Sequence, residues 1–289
     1  MNTTRLSIRF FILISLLLFL PACEKDVILD LADVEGNFIV VDANITDGGG
    51  KQWVRLSRSS SYYDISEGEP VSGASVLIEG NGSSFLFNES EEDSLKGFYY
   101  NDQITYFLEE GEYTLTIGEN DQTYTGQSEF KPVPQLDSIS LRINAFSELG
   151  FLPDTLYDVL AHFEDLATDD NYYLFNMFRN DTIITPRPAD KGLVSDINLT
   201  EYVSLAVLNL NKSELRHRDQ VKLEIRSISR ENFDFYAIFF SQTDLSGNPF
   251  AGAPPANIPT NMSEGAKGFF QVSAIDSKTL LYTEPGQTD

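Results

Sequence analysis

Gly111-Glu112-Tyr113-Thr114-Leu115-Thr116-Ile117 is the stretch whose reading decides the fold. Tyr113, Leu115 and Ile117 alternate with Thr114 and Thr116, the period of a strand with one apolar face. Aromatic and β-branched side chains add the matching propensity. Outward from there the same grammar repeats at short spacing. Residues 38–45 read as a strand that stops at Asp47-Gly48-Gly49-Gly50, and residues 53–57 read as the returning arm of a hairpin. Residues 74–78, 85–87, 97–100 and 124–128 complete a set of seven or so short strands. Such a set predicts an immunoglobulin-like or transthyretin-like β-sandwich over residues 37–131.

Pro132-Val133-Pro134 then marks a stiff, extended connector over residues 132–136. Beyond it, 138–143, 155–163, 172–179 and 221–226 again read as strands. One stretch reads as a helix: Ser229 is a good N-cap, Phe233, Tyr236, Ala237 and Phe240 share a face, and Gly247 marks the end. Residues 249–259 carry four prolines and read as an irregular segment, either a functional loop or a strap across a sheet. Residues 268–274 look like a final strand. The expected class is mainly β: an N-terminal sandwich domain followed by a second β-rich domain, residues 137–283, with one short helix and a loose tail over 284–289.

The start of the chain speaks of location. Arg5 and Arg9 precede an apolar run over residues 10–20, and Leu20-Pro21-Ala22-Cys23 follows, holding the only cysteine. This pattern predicts a lipoprotein signal over residues 1–22, with Cys23 acylated as the first mature residue. A plain secretory signal would leave Cys23 as a free thiol in an oxidising compartment. An uncleaved anchor would want roughly 20 apolar residues, and the run breaks at Pro21. Residues 23–36 then form an acidic tether, and the lipid on Cys23 links the chain to a membrane.

Removing residues 1–22 takes away two arginines and no acid, which moves the formal charge from −24 to −26. A surface this acidic repels nucleic acid and anionic lipid alike. With one cysteine no internal disulfide can form, so stability rests on the core, to which 21 Phe and 13 Tyr contribute.

Several motifs together resemble a known family. They are Cys23-Glu24-Lys25-Asp26, Phe38-Ile39-Val40-Val41, Pro70-Val71-Ser72-Gly73-Ala74-Ser75-Val76, Gly97-Phe98-Tyr99, Gly111-Glu112-Tyr113-Thr114-Leu115, and the late run from Asn248-Pro249-Phe250 to Gly268-Phe269-Phe270. In order and spacing the chain resembles the Bacteroidota lipoproteins of the domain-of-unknown-function 4249 family over nearly all of its mature length. The resemblance transfers no catalytic residue. It implies an accessory outer-membrane lipoprotein, partnered with a TonB-dependent transporter. Glu24 and Asp26 resemble the surface-export signal of that phylum. Asp93-Ser94-Leu95, Asp137-Ser138-Ile139, Asp154-Thr155-Leu156 and Asp181-Thr182-Ile183 resemble its O-glycosylation acceptor, which makes Ser94, Ser138, Thr155 and Thr182 candidate glycan sites.

Chemistry is sparsely marked. His162 and His217 stand without partners that would make a metal site or a triad, and no zinc motif, nucleophile elbow or phosphate loop occurs. Asp165, Asp169 and Asp170 are the best candidates for a structural calcium, the one cofactor considered. A solvated acidic turn is the simpler reading, since the spacing misses the EF-hand pattern. Tyr62, Tyr63 and Asp64, in a Ser- and Tyr-rich loop, have the composition of an adaptable binding surface. Three functions follow: a non-enzymatic surface lipoprotein that helps a transporter capture a ligand, a glycan or peptide hydrolase with an unmarked carboxylate pair, or an adhesin-like module. A deep pocket holding two carboxylates roughly 5–9 Å apart would favour the hydrolase. An apolar patch of several hundred Å² would favour a protein partner.

Overall fold

Apolar alternation in the first half becomes seven strands: β1 (Ile39–Thr46), β2 (Gln52–Arg58), β3 (Ser75–Gly80), β4 (Ser83–Glu89), β5 (Phe98–Asn101), β6 (Gly111–Glu119) and β7 (Gln122–Phe130). These and all later details come from a computed structural model, which describes residues 38–59, 68–166, 170–196, 202–244 and 258–284. The second half supplies β8 (Leu136–Ile143), a short α1 (Ala145–Glu148), β9 (Leu156–Glu164), β10 (Tyr172–Arg179), β11 (Thr182–Ile183), β12 (Gly192–Ser195), β13 (Tyr202–Asn211) and β14 (Gln220–Ile228). Then come α2 (Arg230–Asp244), β15 (Ala266–Ser273) and β16 (Ile275–Leu281). The protein is mainly β.

Period-two burial builds the first core. In β1 Ile39, Val41, Ala43 and Ile45 face inward while Asp42 faces out. Val54 and Leu56, Val76 and Ile78, Tyr113, Leu115 and Ile117 do the same from β2, β3 and β6. Each such side chain stabilises the fold by about 1.5–3 kcal/mol on burial. The sheet order is β15-β1-β2-β5-β4-β3-β6-β7. Its two ends approach each other: Val272 N–H donates to Ser128 Oγ at 2.9 Å, Ser263 N–H donates to Thr125 O at 2.7 Å, and Gly126 bridges to Met262. The sheet thus rolls toward a barrel around one core.

The second core lies between two smaller sheets, β13-β9-β8 and β11-β10-β14-β16, with β12 also paired to β10. Tyr157, Val159, Ala161 and Phe163 of β9 meet Tyr173, Phe175 and Met177 of β10 and Val221, Leu223 and Ile225 of β14. Two sheets that share one core in this way make a sandwich-like unit. A sandwich was expected of residues 37–131, whereas there one long sheet curls on itself and the facing-sheet arrangement occurs in the second half.

The late strands depart from the expected division of the chain. β15 pairs in parallel with β1 over eight residues, from Ile39↔Ala266 to Thr46↔Ser273, and buries Phe270 and Val272 in the first core. It leads directly into β16, which pairs with β14 in the second core. Residues 268–274, expected as the final strand of a domain over residues 137–283, pair instead with the first sheet, and β16 follows them. Gly268 permits this pairing: its φ is +93°, and a Cβ there would collide with the Val41 carbonyl.

Helix α2 forms where the sequence predicts it. Ser229 Oγ accepts from Asn232 N–H at 3.2 Å, the N-cap bond. Tyr236 is buried with Tyr172, Leu174 and Ile228 on the outer face of the β10–β14 sheet, and the ring of Phe233 lies 5.0 Å from Tyr172. On its other side Phe235 sits 5.2 Å from Phe269 of β15, and Asn232 Nδ2 donates to Gln271 Oε1 at 2.7 Å. The helix is a wedge between the first sheet and the second.

Candidate functional site

The connection from β8 to β9 does the opposite of what apolar residues usually do. Phe146 is 62% exposed, Leu149 70% and Phe151 71%, with Ile143 and Leu152 beside them also exposed. These side chains present on the order of 500 Å² of apolar surface, the size of the largest patch on a typical monomer, which is often functional. The segment is nonetheless well built. Asn144 caps α1, its Oδ1 accepting from Phe146 N–H at 3.0 Å. Gly150, at φ +75°, ends it: Phe151 N–H donates to Phe146 O at 2.8 Å and Gly150 N–H to Ser147 O at 3.0 Å. These two bonds make a Schellman motif, and the usual hydrophobic pair across it is Phe146 with Phe151, ring centres 6.5 Å apart. Ser147 Oγ closes the base, donating to Asp154 O and accepting from Leu156 N–H. The exposed rings are held in place by backbone bonds and contribute no core.

Asp158 of β9 anchors this tip. Arg142 Nη2 donates to its Oδ2 at 2.8 Å, and Asn144 Nδ2 and Asn209 Nδ2 donate to its Oδ1 at 2.6 and 3.1 Å. Burial acts to raise its pKa, but the hydrogen bonds and the Arg142 charge favour the ionised form and hold it below the usual carboxylate value. A carboxyl lowered in the folded state contributes stability that is complete above its unfolded pKa near 4 and is lost as pH falls through the folded value. Asp158→Asn is therefore expected to lower stability at pH 7 by about 1–3 kcal/mol and to flatten the loss of Tm below pH 4. Thermal melts from pH 7 to pH 2 check this, and a variant profile parallel to wild type would contradict it.

A second polar region lies under α2. Glu224 Oε1 accepts from Asn176 Nδ2 at 3.0 Å and from Arg226 Nε at 2.6 Å, and Lys191 Nζ donates to Asn176 Oδ1 at 2.6 Å and to Thr185 O at 3.2 Å. Burial, and then Arg226, push Lys191 down to about 8. Asp42, on the face of β1 away from the first core, is surrounded by enough protein for desolvation to raise its pKa although its surface stays exposed, against the pull of Asn44, Arg55 and Lys191. A half-buried lysine with a displaced pKa is a functional candidate, although structural polar networks shift pKa values too.

The residues singled out by sequence scatter. Cys23, Tyr62, Tyr63, Asp64 and Asp169, and residues 249–257 of the proline-rich segment, lie outside the described residues. Asp165 accepts from Tyr173 OH at 3.4 Å, and burial followed by the Asp196 charge raises its pKa. Asp170 occupies a left-handed turn position at φ +66°. Among the described residues no group of three or more His, Cys, Asp and Glu is placed to hold a metal ion. Ser94, Ser138 and Thr182 are exposed, while Thr155 is half-buried and its carbonyl accepts from Lys212 N–H. His162 Nε2 pairs with Ser140 Oγ at 2.8 Å, and His217 Nδ1 accepts from Glu284 N–H at 3.4 Å. Sequence reasoning missed the tip. Its signal was Phe146-Ser147-Glu148-Leu149-Gly150-Phe151-Leu152-Pro153, apolar residues without strand alternation on both sides of a glycine and ahead of a proline.

Fold and site define a mainly β protein of sandwich-like and barrel-like sheets that displays a structured apolar tip. The chain belongs to the family described as Domain of unknown function (DUF4249), whose model matches residues 24–279. No protein with a curated description matches it. Among solved structures it is similar to the FN1–FN3 domains of chicken CNTN1, at 9% identity and a TM-score of 0.23, over 65% of this chain and 57% of that one. That likeness is too loose to carry an argument. Among the described residues no helix is long and apolar enough to cross a membrane.

Proposed function

We propose that this chain is a non-enzymatic outer-membrane lipoprotein of the Bacteroidota type, anchored through Cys23 at the cell surface. In this reading it serves as an accessory, ligand-capturing partner of a TonB-dependent transporter. The two cores act as two β domains joined near residues 132–136, with β15 reaching back from the second to the first. The observation that carries the proposal is the exposure of Phe146, Leu149 and Phe151 on a hydrogen-bonded turn. An apolar patch of this size on a chain of net charge −24 suits a protein surface that offers an apolar seat in a basic rim. The Cys23 signal and the acidic tether support the location. Affinity purification of the tagged chain from detergent-solubilised outer membranes tests it. Stoichiometric recovery of a TonB-dependent transporter is expected; recovery of the acylated chain alone would count against the partnership.

A further inference from the structure

Three polar side chains stand in a row across the face of the second sheet that α2 covers. On β10 the residues that pack toward α2 are Tyr172 and Leu174, and by alternation Asn176 is the next. Glu224 of β14 is its directly opposed partner, and on the other side Phe175 pairs with Gly192 of β12. Lys191, one residue ahead of Gly192, is thereby brought level with Asn176. Directly opposed residues share a face of the sheet, so an amine, an amide and a carboxylate meet.

The contacts have a direction. Lys191 Nζ donates to Asn176 Oδ1 at 2.6 Å, and Asn176 Nδ2 donates to Glu224 Oε1 at 3.0 Å. The carbonyl end of the amide thus faces the amine, and its nitrogen faces the acid. Asn176 is 1% exposed and Glu224 7%. Arg226 Nε fixes the carboxylate, donating to the same Oε1 at 2.6 Å. Packing alone would be served by a neutral side chain at position 191, without the cost of desolvating an ammonium.

We propose that Lys191 and Asn176 join in an intramolecular isopeptide bond, formed by the folded chain itself with Glu224 as the proton-transfer group and one ammonia released. Burial and the Arg226 cation push Lys191 down to about 8, while Glu224, Asp190 and Asp42 pull the other way. A desolvated lysine beside another cation is an activated nucleophile. Contact within the fold supplies the proximity that amide exchange in water lacks. Nζ of the neutral amine adds to Cγ of Asn176, and the tetrahedral intermediate collapses as the Cγ–Nδ2 bond breaks. Glu224 takes a proton from the attacking nitrogen and returns it to Nδ2, which leaves as ammonia. One C–N bond forms, one breaks, and nothing is oxidised or reduced. The proton that the ammonium sheds beforehand is recovered by the departing ammonia.

The bond ties the segment between β11 and β12 to β10, in a chain whose single cysteine allows no internal disulfide. It is separate from the exposed tip and stands whether or not a transporter is the partner. Peptide mapping of the full chain, denatured and digested with trypsin, tests it. A branched peptide is expected, joining the segment that carries Asn176 to the one that carries Lys191. Its mass should fall short of the two linear segments by one ammonia, with cleavage after Lys191 blocked. Lys191→Arg keeps the charge and should give linear peptides alone. Glu224→Gln keeps the shape of the side chain and should lower the linked fraction by about tenfold or more. The wild-type result does not depend on either variant folding. Linear peptides alone from the wild type would overturn the proposal, as would an ammonia loss that persists in Lys191→Arg, the mark of a succinimide elsewhere. Undiminished linkage in Glu224→Gln would overturn the part given to the carboxylate.

Discussion

Phe270→Ala is expected to lower the unfolding free energy by about 3–5 kcal/mol, the cost of emptying a fully buried aromatic site. Phe270 is 0% exposed in the first core, although the chain reaches it only after completing most of the second. Its strand pairs with β1 through Ala43↔Phe270, and its N–H donates to Asn261 Oδ1 at 3.0 Å. Because β15 runs through Ala274 straight into β16, loosening it also loosens the edge of the β10–β14 sheet. Ser227 N–H, on β14, donates to Ala274 O at 3.1 Å and ties the same corner. The whole denaturation curve should therefore move as one. Trp53, the only tryptophan, sits on β2 and reports the first sheet, while far-UV circular dichroism reports both. Coincident transitions, both shifted, are expected. A shift seen by Trp53 alone, or a change under about 1 kcal/mol, would show that β15 does not couple the two cores.

Replacing Phe146, Leu149 and Phe151 together by serine is expected to leave stability within about 0.5 kcal/mol of wild type, since exposed side chains have little burial to lose. The same variant should reduce recovery of the partner by at least tenfold. Apolar residues seated in a partner's pocket act as hot spots, each costing about 2 kcal/mol or more when truncated, so a larger drop would not surprise. The two readouts separate the roles. Loss of recovery with unchanged melting points to docking, whereas a large drop in Tm would mean that the rings serve the fold. The Asp158 network bears on the same question from below, because it fixes the base on which the rings stand.

The strands of the first half were legible because each shows one-sided alternation bounded by glycine turns, as in β1 and β6. Helix α2 was legible for a comparable reason, a capping serine followed by aromatic residues on one face. The pairing of β1 with β15 was not. The two strands are more than 200 residues apart, and parallel pairing leaves no local turn to read. Strand β13 escaped because Val207 breaks its period, and Leu205, Val207 and Leu208 blur the two faces. Strand β16, Ile275-Asp276-Ser277-Lys278-Thr279-Leu280-Leu281, is a polar edge strand with little apolar signal. Neither region was read from the sequence as a site. The tip is defined by what fails to cover it, and Lys191 by neighbours from β10 and the preceding loop that only the fold assembles.

The most direct measurement of the docking claim is photo-crosslinking from position 149 in intact host cells. A photoreactive residue in place of Leu149 faces outward, 70% exposed in the native residue, and perturbs nothing in either core. A single discrete adduct with a TonB-dependent transporter is the expected result, absent when the same probe replaces exposed Leu86 on β4. No adduct from position 149, or equal adducts from both positions, would contradict docking through this tip.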